Sequence, residues 1–380
     1  MTKPNFAQLK LFITGPTYIR QDVKEAALLP EFGHRDAENE LRFGPIRENL
    51  RKLSGCGDMY EPVLFLGSGS SAMEASIRSL VADDETLLNV SVGAFGDHYY
   101  NIAVANGKNA ENLKFEYGQP IDLEKLEERL DSLRPAVVSF THNETSTGVM
   151  NDMKAVCALI RKYDALPMVD GVSIFGGTDL DLVNSGAAIY VTATQKSLAL
   201  PAGFGIGFVS KEAEEKAERV TNKGHATDIT RQLVPARKNQ TLTTPNCTLA
   251  NQMYVQLDRI VNEEGVQNRF DRHLQMRGMV EKWVDGLDGF EMFAPEGYRS
   301  PTVSTVVCPE GVTQAQLKLG IKEAMRAHGY LMDPGYGKLN AALEQSGCRQ
   351  IIRIGHMGDI QPEMLEEYLA VLEGELKKLV

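Results

Sequence analysis

Paired cysteines are missing from this sequence. Five cysteines occur in 380 residues, at Cys56, Cys157, Cys247, Cys308 and Cys348, and none stand in a Cys-x-x-Cys spacing. An odd, scattered set argues against a disulfide framework and a cysteine zinc site, and a reducing, cytoplasmic compartment is the simplest fit. The seven histidines include no HExxH or other metal-ligand spacing. No apolar run approaches the roughly 20 residues that span a bilayer. The opening Met-Thr-Lys-Pro-Asn-Phe-Ala-Gln has no apolar signal-peptide core. Positive charge is in short supply: 40 Lys and Arg face 51 Asp and Glu, for a net charge of -11. That balance argues against a nucleic-acid surface. Neither a membrane nor a nucleic acid is therefore an expected partner. With 43% hydrophobic and 24% charged residues, the chain can build a sizeable core in two domains.

Residues 9–20 suggest a short extended arm ending in a Gly15-Pro16 turn. An amphipathic helix is expected over 39–53, with Leu41, Ile46, Leu50 and Leu53 as its apolar members. From about residue 60, strand and helix patterns alternate. Strands are expected at 63–66, 87–92, 113–117, 136–141, 168–169, 188–194 and 205–209, and helices at 71–80, 123–133 and 153–163. Such a chain is α/β with a mainly parallel central sheet. After residue 211 a polar, basic stretch (Lys223, His225, Arg231, Arg237, Lys238) leads to Thr243-Thr244-Pro245-Asn246. A long helical region over 247–286 follows. Strands near 290–293 and 302–307, a helix near 313–328, the apolar runs at 329–332 and 351–354, and a closing helix over 362–379 complete a smaller α+β unit. The expected division is an arm (1–20), a large domain (21–255) and a small C-terminal domain (256–380).

Ligands of such sheets bind beyond the carboxyl ends of the strands. Lys196 stands at the end of one apolar run, where partial desolvation lowers a lysine's pKa and suits Schiff-base chemistry. A lysine snorkelling from a strand end is the plainer alternative. Gly67-Ser68-Gly69-Ser70-Ser71 follows a strand and opens a helix, as either a phosphate cup or a Gly/Ser turn with a serine N-cap. It also matches GxGxxA, but the acid a dinucleotide's ribose needs is absent from the end of the next strand, which reads Val92-Gly93-Ala94-Phe95-Gly96. Phe95 is a platform for a flat ring or a core residue. The run His142-Asn-Glu-Thr145-Ser-Thr-Gly148 is a capped turn or a set of ligand contacts. Asp170 closes the strand Met168-Val169; if buried and ionised it needs a cation, either a protonated pyridine nitrogen or a protein side chain. Arg353, in an otherwise apolar strand, calls for a carboxylate from the protein or from a substrate. Together these five parts meet the needs of pyridoxal phosphate and an amino acid.

Over nearly its whole length the sequence resembles the class V aminotransferases of the fold type I pyridoxal-phosphate superfamily. The resemblance rests on Gly15-Pro16, the cup 67–75, the run 142–148, Val169-Asp170, Gln195-Lys196 and Arg353-Ile-Gly-His-Met-Gly358, in family order. It implies a large domain with a mainly parallel seven-stranded sheet and a small C-terminal domain. It implies that Lys196 bonds the cofactor and shuttles the substrate Cα proton, and that Asp170 keeps the pyridine nitrogen protonated. Phe95 takes the stacking position. Ser68, Gly69 and Ser70 take the phosphate, with Gln195 beside them, and Thr145 bonds the phenolic oxygen. Thr244 resembles a phosphate contact from the neighbouring subunit, so a homodimer with shared active sites is implied. Arg353 resembles the clamp for the substrate α-carboxylate, with Gly15 of the arm beside the substrate. Two departures stand out: Pro201-Ala202-Gly203 replaces Pro-Pro-Gly, and Thr241-Leu242-Thr243 lacks the family's tyrosine. The segment 340–349 looks inserted.

His34-Arg35 resembles the pair that phosphoserine aminotransferases set near the substrate phosphate, and the basic stretch 223–238 offers further cations. Phosphoserine with 2-oxoglutarate is accordingly the expected substrate pair, with alanine or serine and glyoxylate or pyruvate as the alternative. A cysteine desulfurase or related lyase, which needs a mobile cysteine, and a Rossmann oxidoreductase are the more distant options.

Overall fold

The computed structural model describes residues 9–379. The strands, in chain order, are β1 (Lys10–Phe12), β2 (Tyr60–Gly67), β3 (Thr86–Ser91), β4 (Asn109–Lys114), β5 (Val137–Thr141), β6 (Asn143–Glu144), β7 (Val149–Met150), β8 (Leu166–Asp170), β9 (Ile189–Ala193), β10 (Gly203–Ser210), β11 (Glu291–Met292), β12 (Val303–Val307), β13 (Tyr330–Met332) and β14 (Ile351–Gly355). The central sheet has seven strands in the order β2-β10-β9-β8-β5-β3-β4. Only β10 runs against its neighbours. Every residue of β5 and β9 is buried. Two-sided burial explains why these strands appear in the sequence as continuous apolar runs rather than alternating ones.

One face of the sheet is covered by Gly69–Leu80, Lys211–Arg219 and Ile229–Ala236, which contribute Ile77, Leu80, Ala213, Ala217, Ile229 and Leu233 to a shared core. The other face carries Ala37–Ser54, Leu123–Leu133, Met153–Lys162 and Cys247–Asp258. Several helices begin on a side-chain cap: Asp122 accepts from the amides of Glu124 and Lys125, Asp152 from Ala155, and Asn246 from Leu249. Because the helices fill both faces, the carboxyl ends of β2, β3, β5, β8 and β9 open at a single edge. The residues next in sequence gather there.

The C-terminal part forms a three-stranded antiparallel sheet, β11-β12-β14. Its core joins Phe12 of the arm to Met276, Val280, Ile352, Tyr368 and Leu372, with the rings of Phe12 and Tyr368 stacked 4.0 Å apart. The arm is thus a strand: β1 pairs in parallel with β13. Between Cys247–Asp258 and Val266–Asp285 the chain makes a π-helical turn over Arg259–Gly265. Arg259 and Arg269 flank that turn and converge on the fully buried Asp359, at 2.6 and 2.9 Å. Arg269 also donates to the carbonyl of Ser197 at 2.6 Å, and Gln256 to that of Leu198 at 2.9 Å. This cluster therefore fixes the turn just after Lys196.

Six of the seven sheet strands and the helices over 71–80, 123–133 and 153–163 lie where the periodicity puts them, within a few residues. Four features differ. Leu41 is 69% exposed, and Phe43 is buried in its place. The fourth strand runs 109–114 rather than 113–117, because an edge strand pairs on one side only and its polar residues carry no burial signal. The residues after Gly93 form a helix, Ala94–Ala105, which the sequence pattern does not announce. The segment that looks inserted contains another, Gly337–Gln345. Among the described residues no helix is long and apolar enough to cross a membrane, and no cluster of His, Cys, Asp or Glu could hold a metal ion.

Burial opposes ionisation of Asp359, yet Arg269 and Arg259 hold its carboxyl below the usual range. Its stabilisation is therefore complete above the unfolded pKa of about 4 and lost as pH falls through the folded value. Asp359→Asn leaves two buried guanidinium groups short of a counter-charge and should cost about 3–5 kcal/mol in urea unfolding at neutral pH. A loss under about 1 kcal/mol would give the cluster no more weight than a surface ion pair.

Candidate active site

Lys196 leaves the end of β9 on a turn and points toward the arm. Its Nζ donates to the carbonyl of Thr14, and the hydroxyl of Thr17 donates to the carbonyl of Lys196 at 3.1 Å. Gly15 lies against the lysine stem. Its φ is +115°, and a Cβ there would stand 2.7 Å from both Cδ and Nζ of Lys196. Both the backbone conformation and the close approach require glycine. Burial, then the charge of Arg353, lowers the Lys196 pKa to about 8. A snorkelling lysine would reach water; this one turns inward.

Asp170, at the end of β8, is buried. It accepts from the Val172 amide at 2.9 Å and the Thr141 hydroxyl at 3.3 Å. No lysine or arginine pairs with it among the described residues. Burial pushes its carboxyl up to about 7.

Ser68 occupies the N-cap position of the helix Gly69–Leu80, but its side chain caps nothing. The serine-capped turn is therefore not what is formed. Gly69 is pressed against the loop after Asp170, where a Cβ would stand 2.6 Å from a Val172 methyl. Ser70 bonds the His98 ring at 2.9 Å. Gln195, beside Lys196, has a buried Oε1 with no hydrogen-bond partner.

Phe95 is the second residue of Ala94–Ala105 and lies outside the hydrophobic cores, half-exposed, with its ring 5.8 Å from Lys196 Nζ. Its amide and that of Gly96 donate to Glu144 at 3.0 Å. Glu144 also accepts from the amide and hydroxyl of Ser146. Burial raises its pKa against those bonds. The run 142–148 is thus mostly a turn organised by Glu144, a residue that the sequence pattern does not single out.

Arg353 is buried on β14. Its Nε and Nη2 meet Asp333 at 3.3 and 2.9 Å, and Nη1 donates to the carbonyl of Thr145 at 2.9 Å. Of the two carboxylates anticipated for Arg353, the protein's own is present. Asp333, like Glu144, is missing from the sequence-based candidates; its place just after the apolar run 330–332 was the available signal. Tyr336 covers the arginine, its ring 5.7 Å from the guanidinium and 6.4 Å from Phe95.

Three expected residues lie apart from Lys196 within this chain. Thr244 is exposed on the loop before Cys247–Asp258. Arg35 donates to the carbonyls of Thr241 and Leu242 at 2.9 and 3.0 Å, so it holds that same loop. His34 stands next to it, half-buried. In the basic stretch, Lys223 pairs with Asp228 and Arg237 with Glu214, so much of its charge is spent within the fold. No cysteine bonds a residue of the Lys196 cluster among the described residues: burial pushes the thiols of Cys56, Cys157 and Cys308 up, Cys247 contacts the carbonyls of Phe32 and Pro245, and exposed Cys348 contacts only the local carbonyl of Ser346.

An inward lysine at one strand end, an unpaired carboxylate at the next and an arginine from a C-terminal sheet define a fold type I aminotransferase. The family model for class V aminotransferases matches residues 26–329. An uncharacterised aminotransferase of Methanocaldococcus jannaschii is 32% identical over 97% of this chain and 93% of its own length. The serine–glyoxylate aminotransferase of Hyphomicrobium methylovorum is 28% identical over 97% of this chain and 89% of its own. The solved structure of an alanine–glyoxylate aminotransferase from Nostoc superposes with a TM-score of 0.88 at 24% identity, over 99% of this chain and 97% of that one. The chain belongs to the class V aminotransferase family, whose members are pyridoxal-phosphate-dependent enzymes.

Two outcomes follow from the lysine's surroundings. Its folded pKa, about 8, lies below the ordinary 10.5. Between those values the unfolded chain holds more protons than the folded one, so cofactor-free protein should gain stability as pH rises through that window. Lys196→Met should remove the gain, as measured by urea unfolding at several pH values; an unchanged slope would show that the amine is not desolvated. Gly15→Ala forces a Cβ into the lysine stem and should cost about 1–3 kcal/mol in the same assay, whereas a neutral result would mean that the arm does not press on Lys196.

Proposed function

We propose that this chain binds pyridoxal 5'-phosphate and moves an amino group between a small L-amino acid and a small 2-oxo acid, with glyoxylate as the acceptor. The observation that carries the reading is Asp170, a buried carboxylate without a protein cation, on the same sheet edge as Lys196. A protonated ring nitrogen is the partner it lacks. The uncapped helix start at Ser68–Ser70 and the orphaned Gln195 Oε1 fit the cofactor's phosphate end.

When bound, the cofactor supplies an aldehyde that bonds amines and a ring that withdraws electrons from the substrate Cα. The protein's part is positioning and proton handling. Lys196 would bond the aldehyde and, as a free amine, would take the proton from the substrate Cα; a pKa of about 8 leaves about half of the amine unprotonated at pH 8. Asp170 would hold the proton on the ring nitrogen, and Phe95 would stack on the ring. Ser68, Gly69 and Ser70 would bind the phosphate, and Thr145 would donate its hydroxyl to the phenolic oxygen. Arg353 would hold the substrate carboxylate, with Gly15 beside it. Thr244 would serve the active site of a second subunit, in a working homodimer, while Arg35 holds the loop that carries it.

The glyoxylate reading draws on the serine–glyoxylate relative. Phosphoserine has less behind it, because Arg35, Lys223 and Arg237 already have partners. The test is a steady-state comparison of alanine and serine with glyoxylate against phosphoserine with 2-oxoglutarate. Alanine or serine should give the higher kcat/KM, and the reverse order would restore phosphoserine. Wild-type protein should also take up pyridoxal phosphate with visible absorbance that an amino donor bleaches. Lys196→Ala should lower kcat by at least about 10³-fold; a protein that stays colourless with added cofactor would overturn the assignment.

A further inference from the structure

Arg353 sits opposite a carboxylate that cannot leave. Asp333 takes the edge of the guanidinium formed by Nε and Nη2. Three further bonds fix Asp333 independently of that pair. The Gly335 amide donates to its Oδ1 at 3.0 Å, the Thr14 hydroxyl to its Oδ2 at 3.2 Å, and its own carbonyl accepts from the Arg353 amide at 3.1 Å. Residue and partner are both buried, at 7% and 8% exposure. An arriving substrate therefore does not displace Asp333; it meets an arginine whose charge is already balanced. One N–H remains on each of Nη1 and Nη2, since Thr145 and Asp333 take the others. Those two can hold one carboxylate. A second negative group would meet the Asp333 carboxylate, to which no lysine or arginine other than Arg353 bonds among the described residues.

We propose that Asp333 is a specificity-determining residue, acting through Arg353, that limits the site to small monocarboxylate amino and 2-oxo acids and disfavours dicarboxylates and phosphorylated amino acids. The proposal rests on the amino-acid reading of the site given above. Like charges brought together in a desolvated site are strongly disfavoured, which makes a fixed carboxylate an effective selector.

The test is calorimetric binding of two unreactive acids, propionate and succinate, to the purified enzyme with pyridoxal phosphate added. The wild-type enzyme should bind propionate at least about tenfold more tightly than succinate. Asp333→Asn keeps the shape, removes the charge and should shift that ratio about tenfold toward succinate. A residue that merely held Arg353 in place would weaken both acids equally when replaced, so an equal loss overturns the proposal. So does wild-type enzyme that binds succinate as tightly as propionate, a comparison that needs no variant to fold. Arg353→Gln should abolish propionate binding, and binding that survives it would put the acids elsewhere and overturn the proposal. Neither acid carries an amino group, so the ratio is measured whether or not amino transfer occurs. A preserved preference without transfer supports the role of Asp333 and counts against the proposed function alone.

Discussion

The contact between the arm and Lys196 is the constraint on which the site depends. Thr14 and Gly15 run between the lysine turn and β14. The Gly355 backbone lies so close to the Ile13 carbonyl that a Cβ there would collide with it. From this position Thr14 touches both halves of the site. Its carbonyl takes the Lys196 ammonium, and its hydroxyl reaches Asp333, which in turn holds Arg353. A short strand of Lys10–Phe12, paired with β13, thus sets the distance between the group that handles the amine and the group that handles the acid.

Two kinds of buried charge coexist a few residues apart. Around the π-helical turn, Arg259, Arg269 and Arg272 are matched by Glu264 and Asp359, and burial works against charges that have close partners. At the strand ends the matching is left incomplete. Asp170 has amide and hydroxyl donors but no cation, and Lys196 has a carbonyl but no carboxylate in contact. The first arrangement stabilises a turn. The second holds free energy in reserve for a ligand, because each unmatched group is worth more once a partner arrives.

Most of the fold was legible in the sequence, for a physical reason. Strands buried on both faces show no regular polar alternation, and β5, β8 and β9 stand out as mostly apolar runs interrupted only by Ser139, Thr141, Asp170 and Thr192. The edge strand β4 and the helix Ala94–Ala105 carry no such signature, since neighbours rather than their own composition decide their conformation. The site divides in the same way. Lys196, Asp170, Phe95 and the Ser68–Ser70 turn stand directly after strands, where topology alone brings them together. Asp333, Glu144 and Thr14 matter through partners 20 to 319 residues away in sequence, and no local pattern marks a tertiary hydrogen bond. Arg353 lay between: its need for a carboxylate was plain, and the identity of that carboxylate was not.

The pairing of Lys10–Phe12 with Tyr330–Met332 also orders events in time. A chain made from its N-terminus exposes the arm first and its partner strand last. The central sheet, complete by Ser210, can close on its own helices while the arm still waits for β13. Thr14 and Gly15 therefore reach Lys196 only after nearly the whole polypeptide has been synthesised. Until then Lys196 lacks the Thr14 carbonyl that takes its ammonium and the Gly15 backbone that lies against its stem. The two ends of the chain thus close the site together, as the last contacts of the fold.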